Sequence, residues 1–387
     1  MEIHIVTTAT DFDALQQSWE SLTDGNTRYG IFNSYMCNRL WWAHHQHLGI
    51  LSIVVASDNG QIVGIAPLYR LQTHRLRKLQ LETLSFLGRG ASTTPDDLDL
   101  IVADNNREAI TRELLQHILA SDSVQRLHLR DLPTDSYTKT ALQQMLTGES
   151  GTNKAPFRTM QMGDPVARAS QTLPDSWQDY LSTQSRNFRK QVKRRNNRLQ
   201  RSGDARFRLC RESHDIDKAA QALIKLHHAR WENKVVEHDE SGSESFKEPS
   251  YLAFHNDLMQ ALAAKDQLWL MTFELNDEVV GVEYAFEYNK RLSLFQTGFD
   301  PEQSQLAPGH LMMARLIEMA IDAGVQELDL LKGDYEYKDS YASEKRFTVD
   351  VDVVQGPVVT SLYRLMALAR QTKDICRRLL KTVIKPK

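Results

Sequence analysis

Residues Arg291–Lys338 read RLSLFQTGFDPEQSQLAPGHLMMARLIEMAIDAGVQELDLLKGDYEYK. The run Leu292–Phe299 predicts a strand, and the polar segment after it ends at Pro308-Gly309. Apolar spacing predicts a helix from about His310 to Ala323, stopped by Gly324, with a second strand over Val325–Leu331 and a polar tip beyond. On that helix Arg315, Glu318 and Asp322 fall at i, i+3 and i+7 and leave the rest apolar, the pattern of a helix packed on a sheet with one narrow wet stripe. Its first N–H groups have no partner within the helix and lie at a sheet edge, where an anionic group can sit. Gln305, Pro308, Gly309, His310 and Leu311 are therefore the candidate ligand-holding residues. A plain loop-to-helix junction is the competing reading of the same dipeptide.

Working outward, the 387 residues suffice for two domains, each with its own core. Hydrophobic content of 41%, charged content of 25% and a net charge of −3 describe a globular chain with no overall pull toward nucleic acid. Cys37, Cys210 and Cys376 are far apart and form no CxxC pair, which argues against a disulfide framework or a zinc site, so no metal is expected. The N-terminus carries acids and lacks an apolar run, and no segment approaches the ~20 apolar residues that span a bilayer. A cytoplasmic protein is the expectation.

In the first half, a strand at Ile3–Thr7 precedes a helix with Phe12, Leu15 and Trp19 at helical spacing. The run FNSYMCNRLWWAHHQHLG follows, where His44, His45 and His47 read either as a site or as core packing with solvated histidines. Leu51–Ala56 and Gln61–Tyr69 are strands joined by a Ser57-Asp58-Asn59-Gly60 hairpin turn. LETLSFLG and DLDLIVAD read as strands, Asn106–Leu119 as a helix and VQRLHLRDL as a strand. Residues Gly148–Ser170 lack periodicity and read as a loop or domain boundary.

Beyond it, Arg186, Arg189, Lys190, Lys193, Arg194, Arg195, Arg198 and Arg201 carry eight positive charges with no acid between them, while Phe188, Val192 and Leu199 form an apolar stripe. This basic amphipathic helix reads as a solvated face, as a binder of phosphate groups, or as a contact with a membrane surface or nucleic acid. Next come the strand RFRLCRE, helices at Ile216–Trp231 and Tyr251–Ala264, and the meander LWLMTFEL-ND-EVVGVEYAFEY-NK-RLSLFQTGF. The order of elements repeats that of the first half, and SDNGQIVGI against LNDEVVGVE suggests an internal duplication. RFTVDVDVV reads as a late strand, and Pro357 opens a helix whose basic tail packs on its own domain or touches an anionic membrane.

The order of elements over residues 205–355 resembles the GNAT acyltransferase fold. The string from Gly298 to Lys338, the helix LSTQSRNFRKQVKRRNNRL, LHHARW, FNSYMCNRLWW and IVGIAPLYR are similar to the CelD/BcsL-type acetyltransferases associated with polysaccharide biosynthesis, which are related to the tandem FemABX transferases. The resemblance implies an α/β chain of two GNAT-like domains, each a mostly antiparallel sheet flanked by helices. The first, residues 1–165, is a degenerate copy that helps form the acceptor groove; residues 166–204 are a basic linker helix; residues 205–387 carry the donor site. It implies transfer of an acyl group from acetyl-CoA or a longer acyl-CoA to an amino-sugar or other cell-envelope precursor, in contact with envelope-polysaccharide machinery. Only Gly309 remains of the family's glycine-rich phosphate loop, so an acyl-carrier protein or an aminoacyl-tRNA stays open as donor, and a non-catalytic scaffold is the reading from a different class.

Acyl transfer needs a base near the acceptor and an acid for the departing thiolate. Glu283, on the same strand face as Glu287, is a candidate base and equally a wet-face residue. At the tip, Asp334 is placed to orient or deprotonate the acceptor, Tyr337 to protonate sulfur and Lys338 to hold a phosphate or carboxylate. His227 reads as a base or a core histidine, and Arg186, Arg189, Arg230 and Trp231 as acceptor-binding residues.

Overall fold

The computed structural model describes residues 1–76, 79–121, 123–147, 158–232, 245–333, 337–363 and 365, and of residues 72–76, 79, 80, 147, 230–232 and 245 the backbone alone. Strand β1 (Glu2–Val6) leads into helices α1 (Ala9–Ala14) and α2 (Gln16–Thr23), where one helix is expected from the sequence. Helix α3 (Tyr35–His45) is capped by the Ser34 hydroxyl, which accepts from the Cys37 N–H. His45 is buried on α3, its ring stacked on Trp41 at 4.9 Å, and His44 pairs with Asp257, so the histidine run is core and surface.

Strands β2 (Gly49–Leu51), β3 (Ile53–Asp58), β4 (Gln61–Ala66), β5 (Leu68–Leu76), β6 (Leu79–Phe86) and β7 (Ile101–Val102) follow. The single strand expected over Gln61–Tyr69 is broken at Pro67, which has no N–H to give a ladder. There the chain changes sheets: β4 belongs to a four-stranded sheet ordered β1-β3-β4-β7, and β5 to a twelve-stranded one. The unit is completed by α4 (Arg107–Ala120), β8 (Arg126–Pro133) and α5 (Tyr137–Thr147). Where the sequence suggests a loop up to Ser170, two strands form, β9 (Arg158–Met162) and β10 (Val166–Thr172).

After α6 (Trp177–Thr183) and the basic helix α7 (Arg186–Leu199), the second unit begins at β11 (Ala205–Leu209). It continues through α8 (Ser213–Glu232), α9 (Pro249–Ala264), β12 (Leu268–Leu275), β13 (Glu278–Tyr288), β14 (Arg291–Phe299), α10 (Pro308–Asp322), β15 (Glu327–Lys332) and β16 (Glu344–Gln355). The large sheet runs β11-β12-β13-β14-β15-β10-β16-β8-β6-β5-β2, with β9 also on β16. Strands of both units thus share one hydrogen-bonded surface, joined through β10 and β16.

The two units repeat one device. Within this sheet, β6 with β8 and β14 with β15 are the parallel pairs, each bridged by a helix (α4, α10). Each pair holds for three rungs, Thr83–Ser85 with Arg126–His128 and Arg291–Ser293 with Glu327–Asp329, and then parts. Both helices start at a left-handed residue, Asn106 (φ 58°) and Ala307 (φ 53°). Both second strands bulge against their outer neighbour, at Asp131 (φ 58°) and Leu331 (φ 56°). This is a tandem GNAT-like arrangement of mixed α/β units.

Across the second unit's sheet, α10 and α8 lie on opposite faces. A Cβ at Gly281 would meet Met312 of α10 at 2.7 Å, and one at Gly298 would meet the Leu223 carbonyl oxygen of α8 at 2.9 Å, so each helix seats against a strand stripped of its side chain. Loops of the first unit join the α8 face: Phe32 packs on Phe286 and Phe295, and the Asn289 amide donates to the carbonyls of Thr23, Asn26 and Tyr29.

The buried centre of the junction is ionic. Arg168 on β10, 2% exposed, donates Nε to Asp329 Oδ1 at 3.0 Å, and its other nitrogens meet Asp329 Oδ2 and Asp97. Burial opposes ionisation of Asp329, yet the Arg168 guanidinium holds its carboxyl below the ordinary value. Arg168→Met is expected to cost about 3–5 kcal/mol in a urea titration, because it strands a buried carboxylate, and Arg168→Met with Asp329→Leu to recover most of that.

Candidate functional site

The two parallel strands of the second unit open like a V. Beyond Ser293, β14 pairs with β13 (Glu283 opposite Thr297, Val282 opposite Gly298), and beyond Asp329, β15 pairs with β10. The separation is built into both strands: β14 carries an extra residue at Phe295 against β13, and β15 carries the Leu331 bulge against β10. At the first unit's equivalent opening, the chain itself enters, the Leu98 N–H donating to the Asp131 carbonyl at 3.1 Å.

Helix α10 starts at the rim of the V, two residues earlier than the periodicity suggests, with Pro308 at its first position. The N–H groups of His310 and Leu311 return to the Ala307 carbonyl, and among the described residues the Gly309 N–H has no hydrogen bond. The Phe299 ring lies 3.6 Å from where a Gly309 Cβ would stand, so the strand end and the helix start form one corner. A free N–H at a helix N-terminus fits a single phosphate or diphosphate group, with less backbone to offer than a multi-glycine loop.

The basic helix α7 runs beside this corner. Arg198 donates to the Gln305 carbonyl in the turn Pro301–Leu306, while the Gln305 side chain is exposed. Tyr341, buried behind the corner, bonds His310 Nδ1 through its hydroxyl at 2.7 Å, and Phe188 of α7 packs edge-on against it at 5.2 Å. With the phenol as donor, His310 carries its proton on Nε2; burial, then the Arg195 charge, lower its pKa and keep the ring neutral. Tyr341 was not singled out from the sequence, although it stands one helical turn after Tyr337, and its partner lies 31 residues away.

The remaining expected residues are dispersed. Glu283, 1% exposed, lies on the α10 face of β13 and accepts from the Thr297 hydroxyl at 2.7 Å. His227 is buried on α8, across the sheet from Glu283, with its ring 4.8 Å from that of Phe246. Tyr337 is 42% exposed. Lys338 is buried and donates Nζ to the carbonyls of Leu331 (3.1 Å) and Lys332 (2.8 Å), so its charge clamps the β15 bulge. Arg189 donates to the carbonyls of Leu181, Ser182 and Gln184 and closes the end of α6, and Arg186 is exposed at the start of α7. Arg230 and Trp231 fall in the last turn of α8, and Asp334 lies outside the described residues.

Residues of the other unit also reach the V. Asp96, 2% exposed, accepts from the Lys332 N–H at 2.7 Å, and Lys332 Nζ reaches Asp131 Oδ1 at 2.6 Å and Asp96 Oδ1 at 3.5 Å. Asp96 therefore grips the end of β15. Among the described residues no group of three or more His, Cys, Asp or Glu side chains is placed to hold a metal.

Comparison with known proteins agrees with this geometry. Residues 186–339, which include the V, α7 and α10, match the family model of an acetyltransferase (GNAT) domain. The fold is similar to that of FemX (12% identity, 94% of this chain and 99% of that one, TM-score 0.58). It is also similar to the C-terminal domain of a putative lysylphosphatidylglycerol synthetase from Agrobacterium fabrum (9% identity, 93% and 97%, TM-score 0.52) and to a conserved protein of unknown function from Bacteroides thetaiotaomicron (11% identity, 92% and 100%, TM-score 0.55). The sequence matches no curated protein. Residues 186–339 are thus similar to a GNAT acetyltransferase domain, and the fold as a whole is similar along nearly its entire length to that of these proteins.

Burial pushes the Asp96 carboxyl up to about 6, against the pull of Lys332 and Arg168. The folded state therefore holds this proton more tightly than the unfolded chain does, and its contribution to stability is lost as pH rises from about 4 to about 6. Asp96→Asn is expected to remove roughly 2–3 kcal/mol of that decline, read as the difference between the two proteins' urea midpoints across the window.

Proposed function

We propose that the protein transfers an acyl group from acetyl-CoA or a longer acyl-CoA to an amine or hydroxyl of an amino-sugar or related cell-envelope or exopolysaccharide precursor. The observation that carries this reading is the V between β14 and β15 with the start of α10 at its rim, inside the segment that matches a GNAT acetyltransferase domain. The Gly309 N–H and the helix N-terminus hold the donor's phosphate, and the thioester extends into the V. The acceptor reaches the thioester through the V, beside the end of β15 that Asp96 of the first unit grips. Its polysaccharide-precursor class rests on the resemblance to CelD/BcsL-type sequences.

In the reaction the acceptor's lone pair attacks the thioester carbonyl, the acceptor proton passes to the Glu283 carboxylate, the C–S bond breaks, and the sulfur departs as a thiolate. Thr297 fixes the carboxylate through its hydroxyl. His310, neutral and held by Tyr341, stands at the donor end, where its Nε2–H donates a hydrogen bond to the departing thiolate, which takes its proton from water.

Thiol release from acetyl-CoA, followed against a panel of amino sugars and nucleotide-linked amino sugars, tests the reading. Glu283→Gln is expected to lower kcat by about 10²–10⁴-fold with KM for acetyl-CoA unchanged. Gly309→Trp is expected to abolish acetyl-CoA binding in a calorimeter while the thermal transition stays in place. Full activity in Glu283→Gln would remove that residue from the mechanism, and undiminished binding in Gly309→Trp would remove the corner as the donor site.

A further inference from the structure

The exposed side of α7 has no role in the site as described. Taken at 100° per residue, Arg186, Lys190, Lys193 and Arg194 fall within an arc of roughly 100°, with Asn197 among them. All four cations are exposed, and none forms an ion pair among the described residues. The helix that carries this stripe is about 21 Å long from 14 residues, more than the phosphates of one nucleotide occupy. It ends beside the donor corner, because Arg198 on the flank of the same helix bonds the Gln305 carbonyl four residues before Gly309.

We propose that this stripe is the docking surface for an acidic carrier protein that delivers the acyl group on a phosphopantetheine arm. The proposal rests on the acyl-transfer reading and adds, beside acyl-CoA, a protein-borne donor for the same corner. An acidic helix laid along the stripe places the arm's phosphate at the Gly309 N–H and its thioester in the V. The single glycine suits this delivery, since a docked carrier supplies affinity that the phosphate cradle lacks. Two other anionic partners fit less well. The apolar side of α7, Phe188 and Val192, is buried, which leaves nothing to insert into a bilayer. The stripe also carries no aromatic side chain on which unpaired RNA bases would stack.

The test uses the full chain and four probes: an acyl carrier protein bearing acetyl-phosphopantetheine, acetyl-CoA, phosphatidylglycerol vesicles and bulk tRNA. Binding is measured at low and moderate salt for the wild type and for the triple variant Lys190→Glu/Lys193→Glu/Arg194→Glu. The acetylated carrier is expected to bind at least about 10-fold more tightly than acetyl-CoA, to weaken with salt, and to lose about 100-fold in the variant, with acetyl-CoA affinity and Tm unchanged. Equal binding of the carrier by both proteins would overturn the docking surface, as would vesicles or tRNA binding through the stripe in the carrier's place. Acetyl-CoA binding without preference for the carrier would overturn the docking alone. Failure of both thioesters to bind would overturn the docking and the acyl-transfer reading together.

Discussion

A guanidinium and a carboxylate buried together between two units hold β15 where it is. Arg168 and Asp329 are removed from water almost completely, and the dehydration of such a pair consumes most of what their attraction returns. Its consequence is geometric. Asp329 ends the three rungs shared by β14 and β15, and its Oδ1 also accepts from the Leu331 N–H, fixing the left-handed residue where β15 turns away. With Arg168 on one side, Asp96 gripping Lys332 and Lys338 capping two carbonyls, β15 cannot zip onto β14. The opening is kept by polar groups drawn from both units.

The regular parts of this design were legible in the sequence. The apolar period of α10, the meander and the Pro308-Gly309 start all survive translation into structure because local spacing and local propensity agree there. What was hidden depends on partners far along the chain. Asp96 and Lys332 are 236 residues apart, and nothing in the run Thr94-Pro95-Asp96-Asp97 announces a buried carboxylate. Strands β9 and β10 lie in a stretch whose composition reads as a connection, since their stability comes from β15 and β16 rather than from their own residues. Lys338 was conspicuous as a charge at a sheet edge, yet the direction of its side chain is set by the Leu331 bulge, which no motif displays.

The two openings show how one scaffold supports unequal ends. Each unit has the three-rung parallel pair, the bulge and the left-handed helix start. In the first, Leu98 reaches the carbonyl of Asp131, and Arg107 takes the first helical position after Asn106. In the second, Pro308 and Gly309 leave the rim bare. The division into one unit that presents a donor corner and one that supplies a roof follows from which chain segment crosses which gap.

The place of β16 bears on how the chain comes to be folded at all. Residues 344–355 form a strand between β8 and β10, so the first unit's parallel pair has a raw edge until those residues have been made. During synthesis β8, rich in Leu127, Leu129 and Leu132, waits with the edge away from β6 unpaired while more than 200 further residues emerge. A truncation just before Glu344 therefore leaves the sheet divided in two although it spares β14 and β15 of the V.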